Sequence, residues 1–150
     1  MTSTSPNSAE TEAKSMNDSS NHLKYLDFIQ GVIGRLSSNS SSLKTWTVTL
    51  VAGLFALAVN DPKAEFLLIA YLPALTFWAL DAYYLAQERA YRALYDSVRA
   101  QEVAAEDQFS LDASKFMTGK SWPRALFRRT TFGFYSPILL TILIVSAAAS

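Results

Sequence analysis

Two side chains in this sequence stand where a charge could do chemistry: Lys44 and Asp81, each at the edge of a long uncharged stretch. An acid at the margin of an apolar segment is by default a candidate ion or proton site. A lysine at the same depth turns it instead into half of a neutralised pair. Taking Pro62 as the centre of a chain reversal places Lys44 18 residues before it and Asp81 19 after it. The two therefore fall at one level, and an interfacial charge pair is expected. No other constellation suggests catalysis. There is no cysteine, and the single histidine, His22, lies at the end of a polar segment. No nucleophile elbow, phosphate loop, dinucleotide fingerprint or zinc-protease motif is present. Tyr83, Tyr84, Tyr91 and Tyr95 could line a ligand, but a helical run of tyrosines more commonly packs. No catalytic, metal-ligating or cofactor-binding residue is assigned, and the protein is expected not to be an enzyme.

The elements that hold Lys44 and Asp81 are defined by missing charge. Charged residues make up 17% of the 150, against about 25% in typical soluble domains. Three windows, 45–60, 66–80 and 130–150, carry none, so all 26 charges lie in the remaining 98 residues. Helices from these windows are apolar on every side, and a chain this short cannot cover three of them. The last window suits a bilayer span of about 20 residues. The first two are shorter, about 24 and 22 Å at about 1.5 Å per residue; Lys44 can snorkel and Tyr83, Tyr84 and Leu85 extend the second past Asp81. The expected fold is all-α: an integral membrane protein with a two-span helical hairpin, at about 43–60 and 64–85, extended into the cytosol, and a third C-terminal span at 130–149.

Outside the windows the chain divides readily. Residues 1–22 are rich in Ser, Thr and Asn without aromatics, and are expected to be a disordered tail. Residues 23–36, LKYLDFIQGVIGRL, repeat with helical period and place Leu26, Ile29, Ile33 and Leu36 on one stripe. The serine-rich run 37–42 reads as a polar hinge or a cap. Beyond Asp81 the pattern continues without Gly or Pro to about residue 106, with Glu88–Arg92 and Arg92–Asp96 as charge pairs four apart. On the other side of that helix Tyr84, Tyr91, Leu94 and Val98 form a contact stripe. Reflection about Pro62 sets 23–36 against 88–101, so the two stripes can close on each other. Within the hairpin, Gly53, Ala56 and Ala58 would face Ala70 and Ala74 and allow close approach. Trp46 and Trp78, each 16 residues from Pro62, and Trp122 are expected at an interfacial belt.

Charge also orients the chain. The segment 82–129 holds eight basic residues, Arg89, Arg92, Arg99, Lys115, Lys120, Arg124, Arg128 and Arg129, whereas the turn at 61–65 holds one. The positive-inside rule places 82–129 and the N-terminus in the cytoplasm and the C-terminus outside. From 113 to 129 there are five basic residues and no acid, interleaved with Phe116, Trp122, Leu126 and Phe127. The segment 107–129 is therefore read as interfacial, lying on anionic lipid. A net charge of zero disfavours a nucleic-acid partner.

The succession LKYLDFIQGVIGRL, the serine-rich joint, LKTWTVTLVAGLFALAV, a short turn and FLLIAYLPALTFWALDAYYLAQERAYRALYDSV is similar to the arrangement of SLATT proteins, two-span membrane modules of bacterial conflict systems. The likeness covers residues 23–106; the third span is an addition to the two-span form. The resemblance implies a multi-pass protein of the bacterial inner membrane that oligomerises and perturbs the bilayer as a defence effector. The alternative is a membrane adaptor whose cytosolic helices dock a soluble protein partner.

Overall fold

The computed structural model describes residues 6–60, 64–100, 110–119 and 121–148. Four helices account for nearly all of them: α1 (Pro6–Asn60), α2 (Ala64–Arg99), α3 (Ser121–Leu126) and α4 (Arg129–Ala148). A 3-10 turn, Ser114–Phe116, lies in the described part of the connector between α2 and α3. Among the described residues there is no strand.

The hairpin of α1 and α2 is antiparallel and organises everything else. At one end Tyr25 and Ile29 of α1 are buried against Ala90, Leu94 and Val98 of α2. At the other, Val51 of α1 meets Ala70 and Ala74 of α2, and Ile142 of α4 completes that cluster. Ala70 and Ala74 are fully buried; their single methyl groups leave room for two helices to approach α2 at once. Gly53 and Ala56, expected to face them, point outward instead, and a Cβ on Gly53 would meet nothing within 4 Å. The close approach therefore depends on α2's alanines, because Val51 and Leu54, not Gly53, occupy the inward face of α1.

The helix runs further than the sequence pattern suggests. α1 is one helix of 55 residues, roughly 80 Å at about 1.5 Å per residue. It passes through the serine run without a hinge and begins within the segment expected to be disordered. Extending a formed helix needs no new nucleus. Pro6 suits a first helical position, and Ala9, Glu10, Glu12, Ala13 and Lys14 are tolerant or strong helix formers. Residues 10–20 are nonetheless exposed throughout, so packing adds nothing there. Downstream, Thr45, Thr47 and Thr49 donate to the carbonyls of Ser41, Leu43 and Thr45, keeping their hydroxyls satisfied inside the helix. The turn at Asp61–Lys63 and the expected end of the second helix near residue 106 lie outside the described residues; α2 is described to Arg99.

Among the described residues, two helices, α1 and α4, are long and apolar enough to cross a bilayer. Only 22% of the apolar stretch of α1 and 17% of that of α4 is buried within the protein, whereas a core helix of a soluble domain is mostly covered. Leu50, Leu57, Leu72, Leu140, Leu143 and Ile144 are all exposed.

Candidate functional site

Between the two hairpin clusters lies a polar layer. Asp81 of α2 is fully buried. Its Oδ1 accepts hydrogen bonds from the Ser40 hydroxyl and from Lys44 Nζ, the latter at 2.8 Å. Its Oδ2 lies 2.7 Å from the same Nζ, in ion-pair contact but without an aligned hydrogen bond. Lys44 Nζ also donates to Ser40 Oγ at 2.8 Å. Ser40 and Lys44 are four residues apart, so one turn of α1 presents both to α2. The structure thus joins the two residues that reflection about Pro62 had put at one level, and adds Ser40. The pair is unequal: side-chain exposure is 28% for Lys44 and 1% for Asp81. Chemically, the Ser40 hydroxyl donates its hydrogen bond to the carboxylate and accepts one from Lys44. Lysine therefore offers no lone pair to activate the serine, and the three groups act as a cross-helix clamp.

Next to the clamp, two tryptophans hold α3 in place. Trp78 Nε1 donates to the Leu126 carbonyl at 3.1 Å, and Trp122 Nε1 to the Ala79 carbonyl at 3.1 Å. Ala125 is fully buried on Ala82 and Ala86, small residues spaced one turn apart on α2. Trp78 also stacks on Tyr135 of α4, with ring centroids 6.3 Å apart and planes at 18°, and meets Phe127 edge-on at 6.4 Å. Tyr135 is fully buried and donates to the Phe77 carbonyl at 3.3 Å. The three tryptophans expected to form a belt thus divide. Trp46 and Trp122 are exposed, whereas Trp78 is partly buried among α3 and α4.

Further along α2, in the cluster at the Tyr25–Ile29 end of the hairpin, the expected contact stripe is already occupied. Leu94 and Val98 are buried against α1, with Tyr91 packed beside them. Ala113 of the connector seats on the same cluster and Met117 packs against it. The Tyr25 hydroxyl donates to the Ser110 carbonyl, fastening the connector to α1. Tyr84 is apart from this cluster; its ring lies 5.9 Å from that of Tyr83. The Asp112 carboxylate accepts from the Ser114 amide at 2.8 Å, which holds its pKa below the usual carboxylate value.

The basic residues divide as well. Arg92 pairs with Glu88 at 2.8 Å, as the spacing implied, but Asp96 takes Arg99 at 3.7 Å in place of Arg92. Arg89 is partly buried on α2. Lys115 is exposed on the 3-10 turn, where its charge acts on Asp112. Arg124, Arg128 and Arg129 are exposed around α3 and the start of α4. Lys120 lies outside the described residues. Ser40 was findable from its spacing to Lys44. The docking of α3 was not, because its hydrogen bonds join residues 43 and 48 apart in sequence. Comparison with known proteins adds nothing to this geometry: no family model, curated protein or solved structure matches the chain.

Proposed function

We propose that the protein is a non-enzymatic, multi-pass protein of the bacterial inner membrane, with α1, the first part of α2 and α4 as three spans. The observation that carries this reading is the bare apolar surface of α1 and α4 beside a layer rich in charge and aromatic rings. α2 contributes its uncharged stretch 66–80, where Ala70 and Ala74 pack between α1 and α4. The long aqueous ends of α1 and α2 project into the cytoplasm, and the C-terminus faces out.

Within that frame the protein acts as an oligomerising effector that perturbs the bilayer in a defence system. Its support is the similarity in element order to SLATT modules. The adaptor alternative loses support from the occupied stripe, since a partner docking on Leu94 and Val98 must first displace α1 and the connector. Reconstitution into dye-loaded liposomes tests the effector reading: leakage that rises with protein density is expected. Intact liposomes at every density, together with a stoichiometric cytosolic protein in pull-downs, would favour the adaptor.

A further inference from the structure

The basic run of residues 113–129 looks like one feature in sequence, but the fold breaks it in two. Lys115 belongs to the connector, which seats through Ala113 on Ala90, Leu94 and Val98. Arg124, Arg128 and Arg129 belong to the α3 corner, which seats through Ala125 on Ala82 and Ala86. Leu94 lies ten residues along α2 from the midpoint of Ala82 and Ala86, about 15 Å at about 1.5 Å per residue. That exceeds the Debye length of about 8 Å at physiological ionic strength. Charges on two seats so far apart are largely screened from each other.

We propose that Arg124, Arg128 and Arg129 form a collar that selects anionic phospholipid headgroups, and that Lys115 takes no part in it. This inference rests on the membrane reading above. Four observations point to the lipid. The three arginines are exposed and none is paired with a carboxylate among the described residues. The acid at this level, Asp81, is already neutralised by Lys44. Trp122 and Phe127 are 44% and 72% exposed, apolar surface interleaved with the cations. The collar leads directly into α4, whose exposed Leu140, Leu143 and Ile144 continue the apolar surface. The indole hydrogen bonds of Trp78 and Trp122 fix α3 on α2, so the charges are presented from a rigid shelf. A phosphodiester headgroup supplies an anion with several acceptor oxygens, the partner that arginine suits best.

The test uses full-length protein in bilayers of phosphatidylcholine doped with spin-labelled lipid. Wild type should enrich phosphatidylglycerol over phosphatidylcholine at least about fivefold, the effect of one well-placed cation at a membrane surface. The triple variant R124Q/R128Q/R129Q should lose the preference while keeping its far-ultraviolet circular dichroism, and K115Q should keep both. No preference in wild type, its survival in the triple variant, or equal loss in K115Q overturns the proposal. So does retention of a labelled oligonucleotide by the solubilised wild type but not the triple variant, which would make the collar a nucleic-acid site. Release of the protein from membranes by alkaline carbonate refutes the membrane reading itself. Carbonate resistance without a headgroup preference refutes the collar alone.

Discussion

Lys44→Met takes the ammonium away from a carboxylate that solvent cannot reach. Asp81 is 1% exposed at its side chain, and in the variant only the Ser40 hydroxyl remains of its hydrogen-bond donors. Removing one partner of a buried ion pair in this way costs about 3–5 kcal/mol. Asp81→Asn is milder for two structural reasons. An asparagine oxygen still accepts from Ser40, and Lys44, 28% exposed, can turn its ammonium toward water. Exchanging a charge-assisted bond for a neutral one then costs about 1–2 kcal/mol. The double variant K44M/D81L removes both charges and restores apolar contact, so it should be no worse than the milder single variant. Denaturant titration in mild detergent, followed by helix content and tryptophan emission, measures all three. Equal losses in the two single variants would refute the argument from unequal burial. A double variant as unstable as K44M would refute the claim that an unpaired charge is what destabilises it.

Three further outcomes follow from other contacts. Ala74→Leu forces side-chain bulk into the meeting point of α1, α2 and α4 and should destabilise by about 1–3 kcal/mol, read by the same titration; Gly53→Ala, with open space at its Cβ, should be neutral or slightly stabilising. Tyr25→Phe removes the hydroxyl that holds the Ser110 carbonyl and should cost about 0.5–1.5 kcal/mol, seen as faster amide exchange in the turn Ser114–Phe116. The Asp112 carboxyl titrates below its unfolded value because it accepts from the Ser114 amide. Its contribution is therefore present above the unfolded value and lost as pH falls through the folded one. Amide exchange at Ser114 should accelerate in acid relative to its intrinsic rate, and Asp112→Ala should abolish that pH dependence.

Much of this architecture was legible because missing charge is a strong signal. The uncharged windows mark the helices that expose apolar surface, and reflection about Pro62 was enough to bring Lys44 to Asp81 and the 23–36 stripe to Leu94 and Val98. Other features rest on forces that local composition does not report. Ser37–Ser42 reads as a hinge by propensity, yet it stays helical because the helix propagates on both sides and Ser40 gains a buried partner. Trp78 reads as a belt residue by position, but the Leu126 carbonyl and the Tyr135 ring draw it inward. The occupation of the Leu94–Val98 stripe depends on Ala113 and on a hydrogen bond spanning 85 residues. Neither leaves a local pattern. The unequal burial of Lys44 and Asp81 arises the same way, since equal depth in a hairpin says nothing about which side chain faces inward.

Whether the chain crosses the membrane three times is directly measurable, because the sequence has no cysteine. Single-cysteine variants at Lys63, Arg99 and Ser150 can be treated with a membrane-impermeant maleimide in intact spheroplasts. The three-span arrangement predicts labelling at 63 and 150, and protection at 99 until the membrane is permeabilised. Labelling at 99 in intact spheroplasts, or protection at 63, would contradict it.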